Sequence, residues 1–297
     1  MPEVNAYCTV MKTVLGVDAG QNCVSALRLL QRLNFANEER HLVHVHRDLF
    51  PEMGVLNLSH AQIAVAEANK RAGLEALCIV EQASEVPTVR HLIEGHPASQ
   101  LMELSDTIHA DLVAAATIHR GIGSFIMGSI CRALTIGAKQ SVLVSKGPVE
   151  KEGPLRAVFA TDHSAYANRC LKHLLSMSPC GLAEVSVLSV MEPIVCLPFS
   201  VEATEAFDEI TEHEENVIER KTKAVSQQFE IFGATANSQV VVGETNGVIS
   251  DFMKHTGSDL LIIGAQGHGF IKRLAAGSVA LHQVVGESYP VLIVRAE

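Results

Sequence analysis

The chain has 297 residues, a length that suits two domains of ordinary size, each able to bury its own core. At 47% hydrophobic and 4% aromatic, with no Trp, it has the composition of an α/β protein whose strands are covered on both faces, which excludes a disordered chain. The formal net charge is −10 and no Lys/Arg-rich run occurs, which excludes an extended nucleic-acid surface because phosphate backbones need clustered cations.

The first residues, Met1 to Cys8, lack a basic stretch followed by an apolar core, and no apolar run reaches membrane-spanning length. The seven cysteines form no C-x-x-C pair, and a scattered odd number suits small buried side chains in a reducing compartment. These features predict a soluble cytoplasmic protein that meets neither membrane nor nucleic acid.

In chain order, Lys12 to Asp18 reads as a strand ending in an aspartate, followed by a helix around Ser25–Leu30. A second strand covers 41–46, a long helix 58–84 and a third strand 87–93. Gly95-His96-Pro97 leads into an amphipathic helix with Leu101, Met102 and Ile108 on its apolar stripe. Asp111-Leu112-Val113 opens a fourth strand, Gly128-Ser129 opens a helix and 141–145 forms a fifth strand. A turn-rich linker runs from Gly147-Pro148 to Gly153-Pro154.

The plan then repeats at an offset near 148. Leu155 to Asp162 is again strand then aspartate, with a helix over 167–175, a strand at 184–190, a long helix at 201–232 and a strand near 238–242. An amphipathic helix bears Val248, Ile249, Phe252 and Met253, and apolar strands follow at Asp259–Ile263 and 290–295. Alternation at this rhythm implies parallel sheets with right-handed crossovers. The expected fold is therefore two doubly wound, five-stranded, Rossmann-like α/β domains in tandem, at 11–147 and 154–297. The terminal strands of the halves, apolar throughout, are predicted to meet each other, within the chain or across a homodimer.

The strongest functional pattern is Gly264-x-x-Gly267, nine residues, then Gly277-Ser278, directly after the apolar strand 259–263. Glycines at 264, 267 and 269 would admit positive φ and let backbone amides approach a phosphate without a Cβ between them. Ser278 is expected to cap the helix Val279–Val285, whose amino end favours an anion. A strand-turn-helix needing glycines only to turn is the competing reading. The first half keeps Asp18 and Gly128-Ser129 but has Ala116 and His119, or Ala115 and Ile118, where the loop glycines would fall. One competent site is expected, in the second half.

Two strand-Asp-helix openings and the G-x2-G-x9-G-S pattern before a last helix and strand resemble a tandem universal stress protein, across residues 12–297. The resemblance implies an adenine-nucleotide-binding fold of the nucleotide alpha hydrolase type and a stress-linked regulatory protein holding ATP or AMP, with or without Mg2+, and read by a protein partner. Carried onto this chain, Asp162 and the backbone of Val190 would hold the adenine and Gly264 would border the ribose. Gly267, Gly277 and Ser278 would surround the phosphates, with Ala160, Gln266 and Val279 completing the set. Two positions depart from the family pattern: Gln266 replaces a frequent His or Arg, and Ala160 a frequent Pro or Val. Lys272 and Arg273 follow the loop and could neutralise phosphate charge or form a solvated helix end.

Other groupings carry less. His44 and His46 share one side of a strand without an identifiable third metal ligand, and the acidic run from Glu202 to Glu215 suits a solvated helix face. No P-loop Lys with its Ser/Thr, nucleophile elbow or H-E-x-x-H occurs, so no catalytic residue is assigned. Two rivals remain: a slow ATP-hydrolysing or nucleotidyl-transferring enzyme, and a ligand-free scaffold.

Overall fold

The computed structural model describes residues 10–47, 59–117, 128–147, 152–193, 201–267 and 276–296, with 201–208 as backbone only. The first half runs β1 (Met11–Gly16), α1 (Val24–Leu33), β2 (Glu38–His46), α2 (His60–Gln82), β3 (Thr88–Glu94), α3 (Pro97–Thr107), β4 (Leu112–Ala116), α4 (Ser129–Gly137) and β5 (Ser141–Ser145). The second half runs β6 (Leu155–Ala160), α5 (Ala165–Ser176), β7 (Leu182–Met191), α6 (Val201–Phe232), β8 (Thr235–Val242), α7 (Thr245–Thr256), β9 (Leu260–Gly264), α8 (Ser278–Gly286) and β10 (Val291–Val294). The expected elements are all present; β2 and β7 begin two to three residues earlier than the apolar runs suggest, because Glu38–Arg40 and Leu182 already pair with β1 and β6.

One ten-stranded sheet spans both halves, in the order β3-β2-β1-β4-β5-β10-β9-β6-β7-β8. Neighbours are parallel except at the centre, where β5 and β10 run antiparallel with Val142, Leu143 and Val144 opposite Ile293, Leu292 and Val291. The two apolar terminal strands thus meet within the chain, as their composition required, and their ladder groups are paired with each other. The reversal at this seam is what an approximate two-fold axis through the Leu143–Leu292 pair produces.

Two helical layers cover the sheet. One face packs α1, α2, α5 and α6 through side chains such as Leu27, Leu77, Leu171 and Phe229; the other packs α3, α4, α7 and α8 through Leu101, Leu134, Ile249 and Val284. Strand positions alternate between these layers, which explains why β4, β5, β9 and β10 are apolar at nearly every residue.

The halves are also tied reciprocally. Lys146, just after β5, donates to the Gln283 and Glu287 carbonyls at the carboxyl end of α8, at 2.9 and 2.7 Å. Arg295, just after β10, donates to the Thr135 and Ala138 carbonyls at the carboxyl end of α4. Each cation satisfies orphan carbonyls of the other half's last helix and sits at the negative end of its dipole. A second reciprocal contact joins the turns after α1 and α5: Ala36 N donates to Ser178 O at 3.0 Å and Cys180 N to Asn34 O at 3.1 Å. There the chains pass so closely that a Cβ on Gly181 would lie 1.7 Å from the Arg32 carbonyl oxygen.

Candidate functional site

The carboxyl ends of β6, β7 and β9 open on a cavity of about 450 Å3, closed on one side by the amino end of α8 and on another by α7. This is where open α/β sheets place ligands, and the volume falls within the range of small-molecule sites. Ala160, Asp162, Val190, Gly264, Gln266, Gly267, Gly277, Ser278 and Val279 all line it, so the residues singled out from sequence converge on one space. Leu188, Ile249, Ile263 and Ala280 supply an apolar wall suited to a flat ring.

Each polar group is held by the local chain path. Asp162 follows β6 directly, and its Oδ1 accepts from Ser164 N at 3.0 Å, in the manner of an Asx turn. Ser164 is the N-cap of α5, its hydroxyl accepting from Ala167 N at 3.0 Å. In the first half Asp18 is used locally: Oδ1 accepts from Cys23 N, and Oδ2 from the Asn22 amide and side chain. That matches the expectation of a strand-end carboxylate satisfied by its own turn.

The glycine motif works in one of the two ways expected. Neither Gly264 nor Gly267 has positive φ; among the described glycines that conformation falls on Gly95, Gly147, Gly153, Gly233 and Gly257. What Gly267 provides is proximity, since a Cβ there would stand 3.0 Å from Asp162 Oδ2. Gly277 is itself the N-cap of α8, with φ −62° and ψ 162°, so Ser278 is the first helical residue and not the cap. Its amide is already engaged, donating to Ala265 O at 2.6 Å, a bond that closes the base of the loop. The amides of the first helical turn, Ser278 to Ala280, have no carbonyl partner within the helix, and all three residues line the cavity. Gly269, Lys272 and Arg273, and the first-half positions Ile118 and His119, lie outside the described residues.

Three polar lining residues carry no signal in the site pattern of the sequence: Thr161, Glu192 and Thr245. Thr245 Oγ1 donates to Glu192 Oε1 at 3.2 Å across the rim between β7 and α7. Glu192 lies two residues past Val190, the signal that could have marked it. Among the described lining residues the charged side chains are Asp162 and Glu192, both acidic. Cys170 lies beneath Gly264, and burial pushes its thiol up to about 11, so it is no thiolate nucleophile at neutral pH.

The remaining candidates separate from the cavity. His44 Nδ1 lies 2.8 Å from Val17 O, whereas His41 stacks on His91 and contacts Glu39; no group of three metal-ligating side chains occurs among the described residues. Glu209, Glu212, Glu214 and Glu215 are exposed, as a solvated face requires, but Ile210 beside them is 55% exposed too. Cys23, Cys131 and Cys170 are buried, whereas Cys180 is exposed. No described helix is long and apolar enough to cross a membrane.

The universal stress protein family model matches this sequence twice, over residues 10–146 and again over 155–295. The chain belongs to the universal stress protein family. A universal stress protein from Archaeoglobus fulgidus DSM 4304 superposes with a TM-score of 0.65 at 14% identity, covering 96% of this chain and 98% of that one. A functionally unknown protein from Pseudomonas aeruginosa PAO1 gives 0.60 at 12% identity, with 98% and 94% covered. Two universal stress proteins of Methanocaldococcus jannaschii are each 25% identical to about one half of the chain, over 142 and 156 residues, which cover 47% of it in both cases and 81% and 94% of those relatives. The tandem universal stress protein architecture thus extends over nearly the entire chain.

Proposed function

We propose that this universal stress protein binds an adenine nucleotide, ATP or AMP, in the cavity of its second half and acts as a regulatory protein whose bound form is recognised by a protein partner. The observation that carries the reading is that the α8 amino terminus, Asp162 and an apolar wall line one cavity. The helix end favours phosphate, the wall favours a base, and the carboxylate favours an amino or hydroxyl donor. Asp162 and the Val190 backbone would hold adenine, Gly264 the ribose edge, and Gly267, Gly277 and Ser278 the phosphate end, with Ala160, Gln266 and Val279 completing the walls. No cationic side chain is among the described lining residues, which supports Mg2+ accompanying a polyphosphate as the counter-charge.

We take 154–297 as the nucleotide-binding domain and 11–147 as its degenerate counterpart, in a cytoplasmic protein. Ala116, the last residue of β4, puts a Cβ where β9 ends in Gly264. Bound nucleotide would favour one arrangement of the cavity walls over another, and the partner reads that difference.

Calorimetry with ATP, Mg-ATP and AMP on the full chain, beside mass spectrometry of small molecules released from the purified protein, tests the reading. Stoichiometric binding that Asp162→Ala removes is expected. Steady phosphate release abolished by Asp162→Ala would instead favour the enzyme reading, and absence of any binding the scaffold.

A further inference from the structure

His163 is not explained by the cavity. It stands between Asp162 and Ser164 with φ of 58°, a left-handed conformation that is unfavourable for a residue carrying a Cβ. Its imidazole reaches the sheet face opposite the cavity, because Leu188 and Val190 of β7 face the cavity while Ser189 between them faces α6. Nε2 lies 2.8 Å from Ser189 Oγ and 3.0 Å from Thr222 Oγ1 on α6, and the two hydroxyls are 2.8 Å apart. Ser189 is 2% and Thr222 0% exposed.

The protons can be assigned. Thr222 Oγ1 donates to the Ile218 carbonyl at 2.8 Å, so its single hydrogen is committed within the helix. Ser189 then donates either to His163 Nε2 or to Thr222 Oγ1, and in the second case Nε2–H donates into the pair. Only the second arrangement joins all three groups: Nε2–H donates to Ser189, Ser189 to Thr222 and Thr222 to the Ile218 carbonyl, a chain from the turn after β6 through the end of β7 to the middle of α6, whereas an unprotonated Nε2 would leave no hydrogen for Thr222 to accept.

The first half fills the same space without that link. With Asp18 laid on Asp162, Ala19 stands for His163 and His44 for Ser189. The His44 ring enters from the strand and packs against Gly73 of α2, where a Cβ would come within 2.2 Å of it. A glycine offers no hydroxyl, so the His44 ring has no side chain at that position to bond. An imidazole is present in both halves, but only in the second does it bond the strand-end turn to the long helix.

We propose that His163, Ser189 and Thr222 form a positioning element that sets the spacing of Asp162 and Val190 and ties occupancy of the cavity to α6. The inference rests on the nucleotide reading above. Asp162 precedes His163 and Val190 follows Ser189, so a ligand seated between them fixes the distance that the triangle spans on the other face. Thr222 carries that restraint to the helix.

The test is hydrogen exchange over residues 218–226 of the full chain, with and without Mg-ATP or AMP, alongside calorimetry and thermal denaturation. In the wild type, nucleotide should slow exchange in this segment at least threefold. Thr222→Val keeps the shape and loses the hydroxyl; it should bind roughly tenfold more weakly, the loss expected for one buried hydrogen bond, and show no ligand-dependent protection of α6. Thr222→Ser should restore both, which a role in folding alone would not require. Ser189→Ala is the second variant should Thr222→Val not fold. Wild-type binding with α6 exchange unchanged, or Thr222→Val binding and protecting as the wild type does, overturns the proposal while leaving the nucleotide reading intact. Absence of binding to the wild type removes both.

Discussion

Lys146 should make the stability of this protein rise with pH in an unusual window. Its ammonium is buried, 5% exposed, between the halves; desolvation lowers its pKa from 10.5 to about 8, against the opposing pull of Glu287 and Cys131. Below pH 8 the folded chain carries this charge at a desolvation cost. Between pH 8 and 10.5 the folded lysine releases its proton while the unfolded one keeps it, so the unfolded state binds more protons and stability increases. A shift of this size corresponds to roughly 3 kcal/mol, gained across the window and complete above the unfolded pKa. The perturbation is Lys146→Met, which keeps the aliphatic stem, and the assay is urea unfolding at intervals from pH 7 to 10.5 for both proteins. Buried Tyr166 and Tyr289, both pushed up to about 12, and the buried thiols of Cys23, Cys131 and Cys170, pushed up to about 12, 12 and 11, act oppositely as the unfolded groups lose their protons, but in the fold they stay protonated across the window and so act alike in both proteins. The difference, wild type minus variant, should therefore climb by about 3 kcal/mol across the window. A flat difference would refute the assignment of a desolvated ammonium to this seam.

Gly181→Ala should destabilise the chain by at least about 2 kcal/mol, because the new Cβ would meet backbone at Arg32 and not a movable side chain; a melting temperature within a degree of wild type would contradict the close approach. Glu38→Ala leaves the Arg40 guanidinium, paired at 2.6 Å and 0% exposed, without its carboxylate, and should cost roughly 3 to 5 kcal/mol in denaturant unfolding. Gly267→Val should abolish nucleotide binding measured by calorimetry while circular dichroism and melting stay close to wild type, since its Cβ would press on Asp162 and fill the cavity rim. Retained affinity in that variant would remove Gly267 from the phosphate end of the site.

The architecture was legible because two signals are local: apolar runs of strand length and helical stripes, each repeated after about 148 residues. The meeting of β5 and β10 also followed from composition, since strands buried on both faces cannot end a sheet; its antiparallel sense and register could not, because they depend on the two-fold relation between the halves. The residues singled out as a site do gather around one cavity, but the sequence does not say what the glycines do there. Glycine spacing does not distinguish positive φ from close approach, so both are expected of Gly267 and only the second is found, and the cap falls at Gly277, one residue before the expected Ser278, because glycine serves there as well. The His163 triangle was invisible for another reason: its members are 26 and 59 residues apart from the histidine, and isolated Ser and Thr in a strand and a helix give no pattern. Lys146 and Arg295 likewise look like ordinary solvated strand ends until the opposing helix is in place.

The central seam alters what it takes for this molecule to be whole. Its two lobes are encoded on one ribbon, so their encounter is governed by the reach of a short tether instead of by how many copies the cell has made. Dilution cannot separate them, and neither lobe needs to remain identical to the other for the joint to close. A substitution that would spoil both seats of a symmetric pair here spoils only one.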